Sequence, residues 1–78
     1  MRKKEERLLF TFESTVKAMQ MEKICKEGGH PGRLIPVPRE ITAGCGLAFS
    51  APVHAKRELQ EAMKKHGLMP EQEIVLWI

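Results

Sequence analysis

Three features of this 78-residue chain predict one α+β domain, a four-stranded antiparallel sheet carrying two helices on one face. Strand-forming and helix-forming stretches follow each other as strand, helix, strand, strand, helix, strand. Each helical stretch runs into glycine, the usual helix stop. One strand-like stretch contains two prolines, which confine it to a sheet edge because proline donates no ladder hydrogen bond. A chain of this length holds a single core.

Each element has its own justification. Residues 7–12 read as the first strand, with Leu8, Phe10 and Phe12 on one face and Leu9 and Thr11 on the other. Ser14 or Thr15 caps a helix that runs to about Glu27 and ends at Gly28-Gly29. Its apolar side collects Ala18, Met21, Ile24 and Cys25. His30-Pro31-Gly32 is a turn, and residues 33–38 form the second strand, with Pro36 and Pro38 marking it as an edge. Residues 39–44 are a loop, and residues 46–50 the third strand. Pro52 opens the second helix, which ends near His66 with Gly67 as its stop. Ala55, Leu59, Ala62 and Met63 give it an apolar stripe closed by His66. Residues 73–78 form the last strand. This is the ferredoxin-like βαββαβ plan, a two-layer sandwich with strand order 4-1-3-2. In that plan the proline-bearing strand belongs at an edge, so local composition and topology agree. Residues 1–7 read as a basic flexible tail and residues 8–78 as the domain.

Charge and composition exclude several partners. Of the net +3, +2 sits in the first seven residues, so the folded part has no basic face for nucleic acid. RNA-recognition domains share this element order but stack bases on aromatics of the central strands. Here Phe10, Phe12 and Phe49 share the parity of Leu8 and Leu47, the core face. No apolar run nears the ~18 residues of a membrane helix, and the short apolar start at Leu8 is no signal peptide. The chain reads as cytoplasmic, with free thiols. Two cysteines and three histidines lack metal-ligand spacing, so neither metal nor cofactor is expected. Strand parity assigns Leu9, Thr11, Ala48, Val75 and Trp77 to the sheet face away from the helices, an apolar patch suited to a homodimer or another partner.

The two cysteines differ. Cys25 falls on the apolar side of the first helix and reads as core filling. Cys45 sits in Ala43-Gly44-Cys45-Gly46, between strands two and three. Glycines on both sides remove steric cover, and their backbone N–H groups can gather around an anion such as a thiolate. His54 is near Cys45 in sequence, yet a strand of about 15 Å separates them in this topology, so it is no base for the thiol. The local residues leave open a reactive thiol or a small residue in a glycine-rich hairpin.

Several segments together resemble the selenium/sulfur carrier-like family of small bacterial proteins. They are Phe12-Glu13-Ser14-Thr15, Ala18-Met19, Met21-Glu22-Lys23, the run from Gly32 to Ile41, and Gly44-Cys45-Gly46-Leu47-Ala48. The likeness starts at about Leu8, and its most specific part joins Pro38-Arg39-Glu40 to the Gly-Cys-Gly block. Cys25 lies outside the matched segments. The resemblance implies a carrier thiol at Cys45 and a place in sulfur or selenium trafficking. The resulting expectation is a carrier rather than a turnover enzyme. Cys45 would hold the atom as a persulfide or selenosulfide between a desulfurase- or selenocysteine lyase-type donor and an acceptor enzyme. Gly44 and Gly46 would support the thiolate, and Arg39 would either aid docking or remain a plain solvated side chain. Two alternatives stand beside it: a non-catalytic interaction module working through the outer sheet face, and a thiol redox sensor.

Overall fold

The computed structural model describes residues 5–39, 41 and 46–77. The elements are β1 (Glu6–Thr11), α1 (Thr15–Gly28), β2 (Arg33–Pro36), β3 (Leu47–Pro52), a 3-10 turn (Val53–Ala55), α2 (Lys56–Lys65) and β4 (Gln72–Trp77). The antiparallel sheet has the order β2-β3-β1-β4, which is 4-1-3-2 when read from the β4 edge. β1 and β3 are central, and the proline-bearing β2 is an edge.

Element ends differ from the sequence reading in ways that have local causes. β1 begins at Glu6, so Glu6 and Arg7 belong to the sheet and not to the tail; they pair with Trp77 and Leu76. β2 ends at Pro36, although the Val37 N–H still reaches the Gly46 carbonyl (3.0 Å) in the same register, and Pro38 then enters a turn. β3 continues to Pro52, and the 3-10 turn delays α2 to Lys56.

Both helices end as their glycines require. Gly29 and Gly67 take left-handed φ values of 70° and 67°. Behind them, His30 donates to the Cys25 carbonyl (2.8 Å) and Leu68 to that of Met63 (2.9 Å), the six-to-one bond of a Schellman turn. Ser14 caps α1, its Oγ accepting from the Lys17 N–H (3.3 Å). The turn after α2 also corrects the apolar stripe. His66 is exposed at the helix cap, and Leu68, folded back by the turn, completes the buried row instead.

The main core lies between the helices and one sheet face. Leu8, Phe10, Phe12, Phe49 and Ala51 meet Ala18, Met21, Ile24 and Cys25 of α1 and Leu59 and Met63 of α2 in one buried cluster. With Phe10 and Phe49 fully buried there, no aromatic platform of the RNA-recognition type exists on the central strands. No helix among the described residues is long and apolar enough to cross a membrane.

The opposite face departs from expectation twice. First, Val75 pairs with Leu8 and Trp77 with Glu6, so both lie on the helix side; Ile74 and Leu76 take the far face opposite Leu9 and Arg7. α2, only about 15 Å long, grips β4 through Glu73, which accepts from Gln60 (2.8 Å) and pairs with Lys56 (3.4 Å). It leaves Val75 and Trp77 46% and 62% exposed. Second, Leu9, Thr11 and Ala48 are fully buried and Ser50 nearly so. They offer no open apolar patch. Ile41, from the β2–β3 connection, is likewise buried yet stands outside the helix-side cluster, together with Leu9 and Ala48.

Candidate functional site

The β2–β3 connection is fastened at three points. The Val37–Gly46 hydrogen bond closes its base. The Ile41 N–H donates to the Pro38 carbonyl (3.0 Å), closing a tight turn in which Arg39 is exposed. The Ile41 side chain is buried. No ion pair engages Arg39 among the described residues. Gly46 is exposed with φ +74°, and a Cβ built on it would meet nothing within 4 Å. Its need for glycine is conformational: an L side chain there would strain the backbone, though it would not collide.

Gly44 and Cys45 lie outside the described residues, and Gly46 is the described residue next to them. Cys45 is joined by one peptide bond to Gly46, and Gly46 precedes the first residue of β3.

The register fixes which groups share that end of the sheet. Thr11 pairs with Ala48 and with Gln72, so the entry to α1, including Ser14, lies at the Gly46 end. The Glu71 N–H donates to the Thr11 carbonyl (2.6 Å), which brings the α2–β4 connection there too. His54 follows Pro52 at the other end of β3, a strand length of roughly 16 Å away. His30 precedes β2 and stands at that far end as well. There its Nδ1 lies 2.6 Å from Glu58 Oε2.

Cys25 is only 2% exposed. Burial, helped by the nearby Glu58 carboxylate, pushes its thiol up to about 11. Both effects disfavour the anion, so this thiol is held in its unreactive form.

Sequence reasoning missed the groove of about 410 Å³ between the helices, lined by Ile24, Gly28, His30, Glu58, Ala62 and His66, among others. The His30–Glu58 contact crosses a sequence separation of 28 residues, and nothing local to either residue signals it. No group of three or more His, Cys, Asp or Glu side chains among the described residues could hold a metal ion.

The family model described as "Putative Se/S carrier protein-like" matches residues 7–74. The chain belongs to this family. The match begins in β1 and ends in β4, so the family is defined over every element of the fold. It takes in Cys25 as well as Cys45, a wider span than the segments recognisable by eye. Neither a curated protein nor a solved structure matches the chain.

Proposed function

We propose that the protein carries sulfur or selenium on Cys45, within a ferredoxin-like fold. Membership of the carrier family over residues 7–74 carries this reading. The state of the other thiol supports it, because Cys25 is buried and pushed toward the neutral form. That leaves Cys45 as the chain's candidate for nucleophilic chemistry.

Loading is an exchange. The Cys45 thiolate attacks the terminal sulfur of a persulfide on the donor enzyme. A new S–S bond forms, the donor's S–S bond breaks, and the donor leaves as its thiolate. Selenium transfer follows the same balance and gives a selenosulfide. An acceptor enzyme then takes the atom and restores the Cys45 thiolate. No oxidant is consumed. Gly44 and Gly46 keep side chains away from the sulfur so that two different active sites can reach it. Their N–H groups and the N-terminal end of α1 favour the thiolate. Arg39, exposed on the same connection, would aid docking to a partner. The donor is a desulfurase- or selenocysteine lyase-type enzyme, and the setting is the cytoplasm.

The test is loading from a cysteine desulfurase supplied with radiolabelled cysteine sulfur. The expected result is label on the wild type and none on Cys45→Ser. An unlabelled wild type, or equal label on both, overturns the reading.

A further inference from the structure

The sheet has two dissimilar edges. β2 is four residues long, ends in Pro36, and is followed by a second proline at position 38. β4 is six residues long, contains no proline, and exposes Val75 and Trp77. Among the described residues no strand pairs with its outer side. Such an edge offers a row of N–H and C=O groups to another strand, and the residues of β4 themselves indicate which strand fits.

Along an antiparallel strand, side-chain direction and backbone hydrogen-bonding direction both alternate with period two. A second β4 related by a two-fold axis must therefore be centred on a residue. Only then do outward-pointing backbone groups meet outward-pointing groups while the sheet faces run on unbroken. Centring on Glu73 sets two carboxylates against each other, which is unfavourable. Centring on Ile74 or Val75 sets Trp77 opposite Glu71 or Glu73. Centring on Leu76 sets Val75 opposite Trp77 twice over, with Leu76 opposite itself. Aromatic and β-branched residues are favourable cross-strand partners.

We propose that two copies of this chain pair antiparallel through β4, centred on Leu76, to form one continuous eight-stranded sheet. The pairing covers Val75 and Trp77, two of the large hydrophobic side chains that the monomer leaves exposed. β4 runs away from the Gly46 end, so the seam places the two Gly46 ends at opposite extremes of the dimer, each open to an enzyme.

Sedimentation velocity of the full chain under reducing conditions, over a wide concentration range, tests the proposal. A reversible dimer is expected. Val75→Lys and Trp77→Lys should each weaken it about tenfold or more by setting a charge in the seam. Their circular dichroism should stay that of the wild type, because both positions are exposed. Val16→Lys, on the solvent face of α1 at 74% exposure, should leave the dimer unchanged. In a Cys45→Ser background, Leu76→Cys should cross-link to its symmetry mate on oxidation, and Val16→Cys should not. A monomer at every concentration, a dimer indifferent to both β4 lysines, or a Leu76→Cys protein that fails to cross-link would overturn the proposal.

Discussion

The two faces of the sheet are built to different specifications. The helix-side core is apolar and deep, with Phe10, Phe12, Phe49 and Leu8 packed in one cluster with residues of both helices. The far side buries a small set of residues, Leu9, Ala48, Thr11 and Ser50, outside the helix-side cluster. Its polar groups are unevenly served: Ser50 Oγ accepts from Arg7 Nε at 3.1 Å, while Thr11 Oγ1 is buried without a partner among the described residues. The helix side therefore carries the weight of folding. The cysteines divide the same way. Cys25 is part of the helix-side core, and Cys45 belongs to the connection.

Truncating the helix side should give the largest loss. Phe49→Ala is expected to cost about 3–5 kcal/mol in urea unfolding. Gly32→Ala attacks the same ring from outside. Gly32 has φ +133°, and an added Cβ would lie 2.3 Å from Phe49 Cε2 and 2.9 Å from the Ser50 carbonyl oxygen. A loss of roughly 2–4 kcal/mol should follow from strain and overpacking together; a negligible loss would show that the Phe49 ring swings freely and that the helix side is looser than described. Leu9→Ala should cost about 2–3 kcal/mol, less than Phe49→Ala, because a smaller side chain is removed from outside the helix-side cluster. Equal losses at the two positions would erase the contrast between the faces.

Cys25 sharpens the comparison through pH. Its folded thiol is raised to about 11, above the unfolded value of about 8.5. The folded state thus keeps a proton that the unfolded chain has released. The associated stability is complete below the unfolded value and is lost as pH rises toward 11. Urea midpoints of the wild type should fall over that window more steeply than those of Cys25→Ala. Alkylation of Cys25 in the folded protein should be slow at pH 8 and accelerate only above about pH 10. Thr11→Val has the smallest expected effect and the opposite sign. Removing an unsatisfied buried hydroxyl should stabilise the fold by about 1 kcal/mol; destabilisation would mean that the hydroxyl has a partner on the far face.

Much of this architecture is legible in the sequence. Helical spacing identifies Ala18, Met21, Ile24 and Cys25 as the buried side of α1, and Pro36 marks the β2 edge. Ser14, Gly29 and Gly67 announce helix ends by chemistry that is local to the chain. The faces of β4 are not legible, because Ile74-Val75-Leu76-Trp77 is apolar throughout and a run without alternation contains no parity signal. Burial of the far face is equally invisible, since strand parity says which residues share a face and not what covers that face. For the candidate site, the glycines around Cys45 single out the residue, but the Val37–Gly46 bond at the base of its connection belongs to tertiary structure.

That bond has a consequence for how the chain can vary. Val37 and Gly46 hold the mouth of the connection shut whatever lies between them, and Ile41 tethers its middle. The strand register is set outside the clasp. Closure entropy grows slowly with length, by only about 0.6 kcal/mol for a doubling. The stretch of chain between Ile41 and Gly46 can therefore change in length at little cost to the sheet, while the proposed chemistry requires that Cys45 itself be kept. Evolution or an engineer can lengthen or shorten the chain around that thiol to suit a new client without renegotiating the scaffold beneath.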